Sequence, residues 1–129
     1  MTANQRILVI DDSPLVVEAV RDGLEEVGVE VVGVTDVAAL DHSQGLDRFN
    51  LILIDVQMPA MFGDDVAMVM RDGRSGVTPI VLLSSLPDPE LAVRARDAGA
   101  DGYISKRRGV DNVVAEIRSW LDGTKQKDS

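Results

Sequence analysis

Three tetrads of consecutive apolar residues punctuate the chain, and each runs into a side chain that carries chemistry. Ile7-Leu8-Val9-Ile10 leads to Asp11 and Asp12, Leu51-Ile52-Leu53-Ile54 to Asp55, and Ile80-Val81-Leu82-Leu83 to Ser84. Four apolar residues without polar alternation are the pattern of a strand buried on both faces. Such strands belong to a parallel sheet covered by helices, and ligands bind at their carboxyl ends. Parallel strands present those ends along one edge, so three carboxylates and a hydroxyl are expected to meet there.

Between the tetrads the pattern becomes helical. The first strand is predicted over about Arg6–Asp11. Ser13-Pro14 then offers an N-cap followed by proline at the first helical position. Val16, Val20, Leu24 and Val27 form the apolar stripe of the first helix, which Gly28 stops. A second strand is predicted over Val29–Val34, then a short helix over about Val37–Leu46 that Asp36 can cap. The third strand, about Leu51–Asp55, opens into the loop Val56-Gln57-Met58-Pro59-Ala60-Met61-Phe62-Gly63, and a third helix is predicted near Asp64–Asp72. The fourth strand, Ile80–Ser84, is entered from Pro79. Asp88-Pro89 repeats the cap-plus-proline signature before a fourth helix, about Pro89–Ala98, stopped by Gly99. A short fifth strand, Gly102–Ser105, precedes a fifth helix over about Val110–Leu121, whose apolar face is Val110, Val113, Val114, Ile117 and Leu121.

Five strand–helix units of this size predict an α/β protein with a flavodoxin-like, doubly wound, five-stranded parallel sheet of order 2-1-3-4-5 and five helices. Right-handed crossovers then set the first and fifth helices on one face and the second, third and fourth on the other. The switch point falls between the first and third strands, beside Asp11, Asp12 and Asp55. Residues 1–122 are expected to form the single domain, and the polar residues 123–129 a disordered tail.

Composition narrows the chemistry. There is no cysteine, which excludes disulfides, zinc–thiolate sites and iron–sulfur clusters. His42 is the single histidine, which argues against a histidine-based dyad or a multi-histidine metal site. No apolar run approaches the roughly 18 residues of a membrane span, and no signal-peptide pattern is seen, so a cytoplasmic protein is expected. A net charge of −9 argues against direct nucleic-acid binding and fits a protein that docks other proteins. One tryptophan, one tyrosine and two phenylalanines supply little for base stacking or flavin binding.

Three carboxylates packed together repel one another, and protons or a cation must relieve the repulsion. Hard oxygen ligands on a small open site suit Mg²⁺, which keeps several waters and shares ligands with phosphate. Ser13 already fills the cap position, so the acidic pair is not needed there. Asp55 ends a wholly apolar strand, where an aspartate has no packing value; as a nucleophile it could form an acyl phosphate. Mg²⁺ would shield an incoming phosphoryl group from carboxylate repulsion. Lys106, just after the fifth strand, would balance the acidic cluster and later pair with a phosphoryl oxygen. Ser84 can donate a hydrogen bond to such an oxygen.

Asp11-Asp12, Asp55-Val56-Gln57-Met58-Pro59 with Gly63, Pro79–Ser85, and Ala98-Gly99-Ala100-Asp101-Gly102-Tyr103-Ile104-Ser105-Lys106, in that order and spacing, resemble the receiver domain of two-component response regulators over about residues 5–122. The resemblance implies that Asp55 accepts a phosphoryl group from a sensor histidine kinase or a histidine phosphotransfer protein. It implies Mg²⁺ held by Asp12, Asp55 and the backbone carbonyl of Gln57, with Asp11 acting through a bound water. It gives Ser84 and Lys106 the phosphoryl oxygens, and makes Ser84 and Tyr103 a switch. Tyr103 would turn into the space Ser84 leaves, altering the face built from the fourth helix, fifth strand and fifth helix, where an output protein or a second copy of the chain would dock. Such a domain is a phosphoacceptor, catalysing only its own phosphotransfer and dephosphorylation, and is not an enzyme for an external substrate.

The sequence departs from that family where Arg107 stands in place of the usual proline after the lysine, which predicts a trans or rearranged loop. Arg107-Arg108 reads as a solvated pair or a small basic docking spot. Ser84 replaces the commoner threonine, and Ala60 a frequent glycine. The resemblance implies that Gln57 and Leu86 would flank the path of an attacking water and tune the acyl-phosphate lifetime. Two other classes compete with this reading. A receiver-like docking module independent of phosphorylation is opposed by the full set Asp11, Asp12, Asp55, Ser84 and Lys106. A haloacid-dehalogenase-type phosphatase needs Asp-x-Asp after the first strand, and a flavodoxin a Ser/Thr-rich phosphate loop; Asp11-Asp12-Ser13-Pro14 is neither. The chain reads as a stand-alone receiver or as part of a larger regulator.

Overall fold

A computed structural model describes residues 5–35, 49–55 and 78–123. The helices expected near residues 37–46 and 64–72, the cap Asp36, the loop carrying Gln57, and the tail beyond residue 123 lie outside the described residues.

Five strands, β1 (Gln5–Ile10), β2 (Val29–Val34), β3 (Leu51–Asp55), β4 (Ile80–Ser84) and β5 (Gly102–Ser105), form one sheet in the order β2-β1-β3-β4-β5. Every neighbouring pair is parallel. The described helices are α1 (Pro14–Glu25), α2 (Asp88–Ala98) and α3 (Val110–Leu121), with a 3-10 turn over Lys106–Arg108. The fourth and fifth helices expected from sequence are therefore α2 and α3.

The tetrads form strands because both of their faces are covered. All twelve tetrad residues have no solvent exposure. Their alternation divides the core in two. Ile7, Val9, Leu51, Leu53, Val81 and Leu83 pack with Val17, Val20 and Leu24 of α1 and Val113, Ile117 and Trp120 of α3. Leu8, Ile10, Ile52, Ile54, Ile80 and Leu82 pack on the other side with Phe49 and with Leu91 and Ala95 of α2. Thus α1 and α3 share one face of the sheet and α2 lies on the other.

Three local expectations are corrected. The buried stripe of α1 is Val17, Val20 and Leu24; Val16 is half-buried, and Val27 is 47% exposed because the helix ends at Glu25. Gly28, at φ 84°, turns the chain into β2 from a left-handed conformation that L side chains resist. On α3 the fully packed positions are Val113, Ile117 and Trp120, while Val110 is exposed and Val114 and Leu121 are half-buried. Asp88 does not cap α2: the helix starts there, one residue earlier than expected, Pro87 holds the cap position without a side-chain hydrogen bond, and the Asp88 carboxylate pairs with Arg108. Ser13 does cap α1, its Oγ accepting from the Val16 N–H at 3.4 Å.

Candidate functional site

Strand register assembles the site. Ile10 pairs with Ile54 across β1 and β3, so the next residues, Asp11 and Asp55, leave the sheet side by side. Asp55 pairs in turn with Leu83 of β4, and Ser84 is one position further along that strand. Ser84 pairs with Ser105 of β5, which delivers Lys106 to the same edge. The crossover order of the sheet thus gathers residues separated by nearly the whole chain.

Local bonds fix the first of these loops. The Asp11 N–H donates to the Val34 carbonyl at 3.0 Å, extending β1 toward β2 by one bond. Asp11 Oδ1 accepts from the Ser13 N–H at 2.9 Å, which bends the chain toward α1. Asp11 is fully buried, Asp55 nearly so, and Asp12 faces solvent. Each of the three offers a carboxylate oxygen, and those oxygens lie within 4.8 Å of one another.

Lys106 answers this cluster from the far side. Its Nζ lies 2.6 Å from Asp11 Oδ2 and 3.3 Å from Asp55 Oδ2, with the lysine side chain 16% exposed. The shorter contact is to Asp11. Arg107 does not prevent this reach: no peptide bond among the described residues is cis, and Lys106–Arg108 closes as a 3-10 turn. Ser105 Oγ accepts from the Arg107 N–H at 3.1 Å, and the Gly109 N–H donates to the Lys106 carbonyl at 3.1 Å. Arg108 is not a free solvated cation; its Nη2 donates to Asp88 Oδ2 at 2.8 Å.

Ser84 is fully buried, and its Oγ accepts from the Leu86 N–H at 3.0 Å. Tyr103 is half-buried on β5 and packs against the α2 side of the core. Gln57 lies outside the described residues. Sequence reasoning gave Asp88 to a helix cap and gave Ser105 and Gly109 no role of their own; all three hold the loop behind Lys106. The Ser-x-Arg and Lys-x-x-Gly spacings there are the only local signals.

Three carboxylates against one ammonium leave two negative charges at a site of hard oxygen donors. That balance fits a divalent cation, and the acidic triad can hold one.

Residues 7–118 match the family profile of the response regulator receiver domain. The transcriptional regulatory protein KdpE of Mycobacterium tuberculosis (strain CDC 1551 / Oshkosh) is 32% identical over 113 residues, which cover 88% of this chain and 49% of that protein. The DNA-binding response regulator MtrA of Mycolicibacterium smegmatis is 37% identical over 121 residues, covering 93% and 52%. The chain therefore spans about half the length of these relatives. Among solved structures, the chemotaxis response regulator CheY4 of Vibrio cholerae superposes with a TM-score of 0.76 at 28% identity, covering 92% of this chain and all of that one.

Proposed function

The chain belongs to the response regulator receiver family, whose members are phosphoacceptor modules of two-component signalling, and from that premise we propose that Asp55 is its phosphoacceptor. The observation that supports the choice is the register that sets Asp55 at the end of β3, between the ends of β1 and β4 that carry Asp11 and Ser84, with Lys106 Nζ 3.3 Å from its Oδ2. Asp55 Oδ attacks phosphorus, the bond to the donor's leaving group breaks, and an acyl phosphate results. Asp11, Asp12 and Asp55, with the Gln57 carbonyl, would hold Mg²⁺. Bound there, Mg²⁺ would supply the positive charge that lets an anionic phosphoryl group approach carboxylates. Lys106 then exchanges a carboxylate oxygen for a phosphoryl oxygen, and the Ser84 hydroxyl donates to another.

The donor in this reading is a sensor histidine kinase or a phosphotransfer protein. The receiver unit covers residues 1–122 and works in the cytoplasm; no described helix is long and apolar enough to cross a membrane. Movement of Ser84 and Tyr103 alters the face formed by α2, β5 and α3, which docks an output protein or, after phosphorylation, a second copy of the chain. Direct contact with nucleic acid is not part of the role.

Intact mass after incubation with acetyl phosphate tests this, with and without Mg²⁺ and beside Asp55→Asn. One phosphoryl adduct that needs both Mg²⁺ and Asp55 is expected. Absence of an adduct, with Mg²⁺ binding shown separately, would replace this reading with a phosphorylation-independent docking module.

A further inference from the structure

The 3-10 turn carries two cations that act in different places. Lys106 enters the carboxylate cluster, while Arg108 reaches Asp88 in the first turn of α2 at 2.8 Å. The turn is closed at its start by Ser105 Oγ and at its end by the Gly109 N–H. The closed turn sets Lys106 and Arg108 on one short segment, so the two cations are tied through its backbone. The other partner is tied to the same site. Ser84 Oγ holds the Leu86 N–H, and Asp88 lies two residues beyond. Both limbs of the ion pair therefore begin at groups that face the phosphoryl site.

Asp88 and Arg108 also border a groove of about 390 Å³ whose lining includes Tyr103, Glu116 and Trp120. Trp120 is the chain's single tryptophan, and its buried indole Nε1 has no hydrogen-bond partner among the described residues. The ion pair joins the two loops at one edge of this groove.

We propose that the Arg108–Asp88 pair is a clasp favouring the resting arrangement, which loosens on phosphorylation and widens the groove it borders. The proposal rests on the receiver reading, because phosphorylation is its trigger. The side chains are 55% and 36% exposed, so the pair is weak and screened by salt, as suits a contact that must open in each signalling cycle. Asp88 stays favourable at the start of α2 when released, because the helix dipole favours an anion there. Removing the clasp shifts the population toward the arrangement that binds a phosphoryl mimic, and so tightens binding of that mimic.

The test uses the full chain as wild type, Arg108→Met, Asp88→Asn and the double variant. Two quantities are read: the affinity for beryllofluoride with Mg²⁺, and acrylamide quenching of Trp120 without either. Each single variant is expected to bind beryllofluoride about two- to fivefold more tightly and to quench more readily. The double variant should go no further than the singles, and added salt should move the wild type toward it. Unchanged affinity and quenching in the singles, or effects that add in the double variant, would overturn the clasp. Arg108→Met leaves the first turn of α2 untouched, so a folding defect of Asp88→Asn does not obscure the answer. A wild type that binds no beryllofluoride would remove the phosphoacceptor reading, and the quenching cycle would still decide whether the pair restrains the groove.

Discussion

Lys106 Nζ bridges Asp11 Oδ2 at 2.6 Å and Asp55 Oδ2 at 3.3 Å, so one ammonium from the end of β5 joins carboxylates at the ends of β1 and β3. Asp11 is fully buried beside Asp55, and this cation offsets the repulsion between their carboxylates. The lysine is therefore expected to stabilise the metal-free fold as well as to serve the proposed phosphotransfer.

Removing that ammonium leaves buried carboxylates uncompensated, and breaking a buried pair from one side is costly. Lys106→Met should lower metal-free stability by about 1–3 kcal/mol, below the range for fully buried pairs because the cluster stays open to water on the Asp12 side. Mg²⁺ should restore more stability to the variant than it adds to wild type, since it would replace the missing positive charge. Urea unfolding with and without Mg²⁺ reads both quantities; equal Mg²⁺ effects in the two proteins would contradict the shared-carboxylate account.

Asp12 behaves oppositely because it faces solvent within the same triad. Asp12→Asn removes a like charge from its neighbours and should melt no lower than wild type without metal. Its Mg²⁺ affinity should fall by at least about tenfold, since even groups that only support metal ligands cost that much. Calorimetric titration with Mg²⁺ beside a thermal melt separates the two effects. Loss of stability without metal would show that Asp12 has a structural duty the triad geometry does not suggest.

The sheet and the carboxylate edge were legible because burial on two faces leaves a plain mark: the tetrads admit no polar residue, and the polar side chain at the end of each one stands out. The misreadings have two causes, a helix end that periodicity does not mark and a contact distant in sequence. Val27 continues the helical period of Val20 and Leu24, yet the helix has already ended at Glu25. Asp88-Pro89 has the form of a cap, but Arg108, twenty residues onward, takes the carboxylate. The contact of Lys106 with Asp11 joins strands with two others between them, and only the folded sheet brings those ends into reach.

Gly33 shows how closely α1 lies on β2. A Cβ at position 33 would stand 2.3 Å from Val17 Cγ1, a distance no packed pair tolerates. Gly33→Ala should destabilise the fold by about 1–3 kcal/mol, as overpacking does. Val17→Ala alone should also destabilise, by opening a void in the core. The pair together should recover part of the sum, because the new methyl occupies the space left by the valine. Denaturant midpoints of the four proteins give the coupling; strict additivity would mean that α1 yields to the new methyl instead of resisting it.

Under the proposed function Ser84 would link chemistry to loop conformation through one oxygen, and the single tyrosine offers a probe of that link. Ser84→Ala leaves the Leu86 N–H without this acceptor, at a cost of about 1 kcal/mol in stability. It also removes the proposed donor to a phosphoryl oxygen while leaving Asp55 and Lys106 in place. An adduct should therefore still form from acetyl phosphate, more slowly than in wild type. Fluorotyrosine incorporation labels Tyr103 alone, since no other tyrosine is present. In wild type and in Ser84→Thr, which keeps the hydroxyl, the fluorine resonance should move when beryllofluoride and Mg²⁺ are added. In Ser84→Ala it should stay near its resting position even at saturation. A full shift in the alanine variant would mean that Tyr103 responds to the phosphoryl site through the Lys106 turn, without the Ser84 hydroxyl.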